Sequence, residues 1–132
     1  MALVIDTSAI VAVLASEPER TRLVRATEGA ELVAPASVHW EVGNALSALV
    51  KRRRATLADV QRAVQAYAAI PIRFVEVDLA LALEVAAEHG LYAYDAYLIT
   101  CALAHRSLLL TLDRGLARAA AVAGVTVMEV PE

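Results

Sequence analysis

The chain has 132 residues, a formal net charge of −3, 59% apolar residues and a single cysteine. That length bounds it to one domain over residues 1–132, large enough to bury roughly two-thirds of its unfolded surface. The lone Cys101 excludes an intramolecular disulfide and a thiolate zinc cluster, the apolar runs fall short of the ~20 residues that span a bilayer, and the negative balance excludes a generic nucleic-acid coat but not a nucleic-acid enzyme working through cations and local basic groups.

The chain opens on Leu3-Val4-Ile5, a β-favouring run that ends in the carboxylate of Asp6, followed by Thr7, Ser8 and an apolar segment with helical character. A charge this close to an apolar run fits two roles: the N-cap of the next helix, or a functional group at the carboxyl edge of an α/β sheet. Ser16-Glu17-Pro18-Glu19 reads as the start of a second helix that Gly29 closes. Glu31 to Ala34 is a short strand stopped by Pro35, and Ser37 is placed to cap a longer helix through Val38, Val42, Ala45, Leu46 and Leu49.

That helix runs out in Lys51-Arg52-Arg53-Arg54. Thr56 and Asp59 mark the next start, with Val60, Ala63, Val64 and Tyr67 as its buried side. Arg73 to Val77 is a third strand, and Asp78 caps a helix closed by Gly90. Tyr94 to His105 is apolar nearly all round and predicts a buried helix with Cys101 in the core. Leu108 to Leu110 is a fourth strand, Leu116 to Val122 a helix, and Val125 to Val130 a last strand. Strands alternating with helices predict a three-layer α/β/α domain with a mostly parallel central sheet. No basic leader precedes Asp6, so the expected compartment is the cytoplasm.

The chain has five aspartates. Asp59 and Asp78 sit in polar helix starts, where capping explains them. Asp6 and Asp113 each follow a Leu/Val/Ile-rich strand and should emerge on the same sheet edge, while Asp95 opens the buried helix. Glu41, one turn into the helix of Ser37, has Val38, Trp40, Val42 and Ala45 around it. Carboxylates that converge repel one another and hold their protons unless a cation intervenes; hard divalent cations with oxygen ligands relieve that repulsion.

Leu3-Val4-Ile5-Asp6-Thr7-Ser8-Ala9-Ile10, with Glu17-Pro18 after it, resembles the opening of PIN-domain ribonucleases, above all the VapC-type toxins of bacterial toxin–antitoxin pairs. Ser37-Val38-His39-Trp40-Glu41-Val42-Gly43-Asn44-Ala45-Leu46 is similar to that family's second motif, Tyr94-Asp95-Ala96 to its third, and Leu110-Thr111-Leu112-Asp113-Arg114-Gly115-Leu116-Ala117 to its fourth. The resemblance covers the whole chain, with the motifs in family order and every acidic position filled.

The resemblance implies an Mg²⁺- or Mn²⁺-dependent endoribonuclease that leaves a 5′-phosphate and a 3′-hydroxyl. Asp6, Glu41, Asp95 and Asp113 would be both the catalytic and the metal-holding residues. It also implies a VapB-like antitoxin as partner and a homodimer, with RNA as substrate and no membrane association. Ser8 and Thr111 are expected as supporting hydroxyls; strand-end packing is the other reading of Thr111. Asn44, one turn after Glu41, either orients a carboxylate or is a plain amide on the helix face. Arg114, Arg52 and Arg53 are candidates for RNA or partner contact, although cations at a helix C-terminus are favourable without any ligand. Trp40 and Tyr92, Tyr94 and Tyr97 read as packing groups more readily than as a base-stacking platform, with Tyr94 set apart because it adjoins Asp95, and the three histidines are too dispersed for a zinc motif.

Two other enzyme classes fail on particular residues. A haloacid-dehalogenase-like phosphatase needs a second Asp two positions after Asp6, where Ser8 stands. A phosphoreceiver domain needs a lysine after a late strand, and the only lysine is Lys51. The remaining alternative is a catalytically silent PIN-like module whose acidic pocket binds a basic partner segment.

Overall fold

In a computed structural model, which describes residues 1 to 130, four parallel strands form one sheet with helices around it. The strands are β1 (Ala2–Ile5), β2 (Glu31–Pro35), β3 (Ile72–Val75) and β4 (Leu108–Leu110), in the spatial order β3-β2-β1-β4. The helices are α1 (Thr7–Leu14), α2 (Arg20–Thr27), α3 (Ser37–Lys51), α4 (Leu57–Ala68), α5 (Leu79–His89), α6 (Ala93–His105) and α7 (Arg114–Val122).

The chain steps from β1 to β2 to β3 in one direction and then returns past both to β4. Right-handed crossovers therefore place the helices of the first two connections on one face and α5 and α6 on the other. α6 packs across β1, β2 and β4, with α5 against its outer side, while α1 contacts α2, α3 and α4. The order reverses between β1 and β4, and the crevice beyond the carboxyl ends at such a reversal is where open α/β sheets bind ligands.

The sheet is buried because its strands are apolar on both faces. Leu3, Val4, Val33, Leu109 and Leu110 are fully enclosed, as are Ile99, Cys101 and Ala102 of α6. Ile5 lies opposite Leu110 in the β1–β4 register, so Asp6 and Thr111, the next residues of each strand, leave the sheet side by side.

Several expected elements differ. The second helix begins at Arg20, not at Ser16, whose backbone turns left-handed at φ 53° and reverses the chain before the helix starts. Ser37 is the first helical residue and caps nothing, because Ala36 ahead of it is already helical. β2 includes Pro35, and β3 ends at Val75, two residues short of the predicted Val77. The predicted last strand, Val125 to Val130, reduces to one bridge between Val127 and Leu109, since the segment meets β4 only where Leu109 N donates to Thr126 O and Met128 N to Leu109 O. Val64 faces solvent, as do Leu79, Leu81 and Leu83 of α5. Among the described residues no helix is long and apolar enough to cross a membrane.

Candidate functional site

Asp6 ends β1 and caps α1. Its extended backbone (φ −96°, ψ 172°) turns the carboxylate back over the helix start, where Oδ1 accepts the Ala9 amide at 3.0 Å. The Ser8 hydroxyl lies 2.7 Å from Oδ1 and 2.9 Å from Oδ2, and Thr111 Oγ1 donates to Oδ2 at 2.5 Å. The residue is 4% exposed. Burial holds the Asp6 carboxyl above its ordinary pKa, against the pull of the Thr111, Ala9 and Ser8 donors, and the nearby Asp113 charge pushes the same way as burial.

β4 delivers the opposite wall. Thr111 Oγ1, besides donating to Asp6, accepts the Asp113 amide at 3.0 Å, and Ser8 Oγ accepts the Leu112 amide at 2.9 Å. Two hydroxyls thus stitch the β1–α1 turn to the β4–α7 turn. Asp113 caps α7 through Oδ1, which accepts the Leu116 amide at 3.1 Å, and its side chain stands at the surface. Gly115 lets that carboxylate fold back over the helix start: a Cβ there would stand 3.3 Å from Asp113 Oδ1. Gly115 stands in the fourth motif with no role of its own in the sequence, and its place two residues after a capping aspartate is the signal that marks it.

Glu41 and Asp95 enter from α3 and α6. Burial raises the Glu41 pKa first, and the charges of Asp6 and Asp95 raise it further. Asp95 is raised by burial and then by Asp113. Charge coupling therefore links Asp6 to Asp113 and Glu41, and Asp95 to Glu41 and Asp113. Among the described residues, however, no group of three or more His, Cys, Asp or Glu is drawn together tightly enough to cage a metal ion. Glu41 Oε2 and Thr7 Oγ1 are buried and have no hydrogen-bond partner among the described residues. A buried carboxylate oxygen left in that condition is costly unless a donor or a cation meets it. The donor set consists wholly of oxygen, which suits a hard divalent cation.

Capping alone does not distinguish these aspartates. Asp78 accepts the Leu81 amide in the same way, but it is exposed. Burial and mutual repulsion single out Asp6, Glu41 and Asp95.

The remaining expected residues divide. Ser8 and Thr111 touch the Asp6 carboxylate directly. Asn44 is exposed, and among the described residues its side chain bonds no carboxylate; only its backbone carbonyl accepts the Ser47 hydroxyl. Arg114 is exposed beside Asp113 and pairs with no carboxylate among the described residues. Arg52 and Arg53 lie at the far end of α3, about 16 Å along the helix axis from Glu41 at 1.5 Å per residue. Trp40, Tyr92 and Tyr94, expected as packing, are exposed instead. A cavity lined by Val13, Leu14, Leu46, Leu49, Val60 and Ala63 contains none of the four carboxylates.

The PIN domain family profile matches residues 3–122. No curated protein matches the sequence significantly. Among solved structures, PAE2754 from Pyrobaculum aerophilum is 27% identical, with a TM-score of 0.71 over 90% of this chain and 87% of that one. VapBC2 from Rickettsia felis, bound to a DNA fragment from its promoter, is 13% identical, with a TM-score of 0.65 over 98% of both chains. A toxin–antitoxin complex from Klebsiella pneumoniae is 17% identical, with a TM-score of 0.62 over 98% of both chains.

Proposed function

The chain belongs to the PIN domain family, whose members are generally nucleases, and from that membership we propose that it is a divalent-cation-dependent endoribonuclease acting as the toxin of a type II toxin–antitoxin pair. One observation carries the reading. Asp6, buried and fixed by three donors at the point where the strand order reverses, lies within reach of Asp113 and Glu41, and Glu41 in turn of Asp95.

Asp6, Glu41, Asp95 and Asp113 would hold the Mg²⁺ or Mn²⁺. When bound, the cation neutralises their repulsion, offsets the charge that builds on an RNA phosphodiester and acidifies a water for attack. The chain's own groups supply the geometry. Ser8 and Thr111 hold the Asp6 carboxylate in one rotamer, the Leu116 amide holds Asp113, and the exposed Arg114 guanidinium would meet a phosphate oxygen.

The likeness to the Rickettsia felis and Klebsiella pneumoniae complexes supports a VapB-like antitoxin as partner, and the carboxylates would receive a basic side chain from it. The same reading makes residues 1–132 one domain that works as a homodimer in the cytoplasm.

A catalytically silent module with the same basic partner is the second reading, and the absence of a tight three-residue cage among the described residues favours it. Incubating partner-free protein with RNA separates the two. Cleavage that requires Mn²⁺ or Mg²⁺ and stops in excess chelator supports the enzyme; no cleavage with either cation supports the silent module.

A further inference from the structure

Three of the six aromatic residues crowd into the first turns of α3 and α6 and face solvent: Trp40 is 76% exposed, Tyr92 89% and Tyr94 57%. Trp40 immediately precedes Glu41 and Tyr94 immediately precedes Asp95, the two helix-borne carboxylates, and Glu41 feels the charge of Asp95. The two helix starts are neighbours, because Ser37 of α3 and Tyr97 of α6 line one cavity together with Pro35, Val75 and Leu79.

Both exposed rings are braced. Trp40 stands edge-on to His39, with ring centres 4.8 Å apart; His39 Nδ1 is 2.9 Å from the Tyr67 hydroxyl, and Phe74 meets the same imidazole edge-on at 5.6 Å. Tyr94 stands edge-on to Tyr97 at 5.8 Å. Such T-shaped contacts fix a ring's orientation while leaving one face open.

We propose that Trp40 and Tyr94 are base-stacking residues that hold unpaired bases of single-stranded RNA beside the carboxylates. The inference rests on the nuclease reading. Four carboxylates and a net charge of −3 make the site a poor attractor of phosphate, and the basic run Lys51 to Arg54 lies at the far end of α3. Stacking carries no charge, so it adds affinity where phosphate contacts are few, and fixed bases fix the backbone between them. Selection for unpaired RNA follows, because bases inside a duplex present no free face.

Trp40 is the only tryptophan, so its fluorescence reports on this position alone. Asp6→Asn protein is titrated with a short unstructured RNA and with the same sequence as a duplex, and Trp40→Ala, Trp40→Phe and Tyr94→Ala are assayed for cleavage. The expected results are quenching by the single strand only, with weak salt dependence, and a KM raised about tenfold in each alanine variant with kcat nearly unchanged. Trp40→Phe should recover most of the loss.

Cleavage by wild type with no quenching, and with an unchanged KM in both alanine variants, overturns stacking while the nuclease reading stands. Quenching by single-stranded RNA in a protein that cleaves nothing supports stacking and sinks the nuclease reading instead. A blue shift of Trp40 emission with rising protein concentration and no RNA overturns the proposal by showing that a second copy covers the ring.

Discussion

The Thr111 hydroxyl donates to Asp6 Oδ2 at 2.5 Å and accepts the Asp113 amide at 3.0 Å, so one side chain ties the Asp6 carboxylate to the backbone of Asp113. The tie spans 105 positions of sequence and depends on the β1–β4 register, which sets Ile5 against Leu110.

Thr111→Val keeps the shape and removes both bonds. It leaves a buried carboxylate short of a donor, so the urea-unfolding free energy should fall by about 1–3 kcal/mol. Cleavage should fall as the Asp6 carboxylate loses its fixed orientation, and Thr111→Ser should restore most of both. A valine variant with unchanged stability and rate would reduce Thr111 to strand-end packing.

Asp6→Asn retains the bulk and an oxygen able to accept the Ala9 amide, so circular dichroism should report an unchanged fold. The account predicts loss of at least ~100-fold in divalent-dependent RNA cleavage, the order seen when a preorganised charged group is removed from such a site. Asp78→Asn, which alters an exposed cap of the same geometry, should leave the rate unchanged.

The pH dependence follows from the direction of the shifts. Asp6, Glu41 and Asp95 each hold a proton more tightly folded than unfolded, chiefly because burial penalises the charged form. Their contribution to folding is fully present below the ordinary carboxylate range and is lost as pH rises through the raised values. Without divalent cation, the stability of wild type relative to Asp6→Asn should therefore fall as pH rises through that window. Asp59, shifted down by its capping bonds with Thr56, titrates in the opposite sense but cancels in the comparison. Added Mn²⁺ should flatten the wild-type fall and leave Asp6→Asn unaffected. A difference that is flat with pH, or rises, would contradict the burial of the Asp6 charge.

Gly115→Ala should move stability and activity in opposite directions. Alanine in a helical position favours folding by about 0.5–1 kcal/mol over glycine. The new methyl group stands 3.3 Å from Asp113 Oδ1 and displaces that carboxylate by a few tenths of an ångström. Thermal unfolding should rise slightly while cleavage falls several-fold.

Asp6 and Asp113 were legible in the sequence because each closes an apolar strand, and parallel strands release their following residues at one edge. The exposed aromatics were not. Apolar composition and periodicity mark a face but do not say what covers it, so Trp40 and Val64 read as packing although they meet solvent. Val125 to Val130 has strand composition, but only Val127 reaches β4, a fact set by where α7 ends and the chain returns. Asn44 has the right spacing from Glu41 for a helix-face neighbour, and its helix turns it outward instead.

The most direct test of the central claim is a manganese soak of crystals of the partner-free protein, with anomalous scattering recorded at the metal's absorption edge. The account predicts a peak bounded by the carboxylates of Asp6, Glu41, Asp95 and Asp113, and no peak in Asp6→Asn crystals. Full manganese occupancy elsewhere, or none while these side chains remain apart, would contradict it.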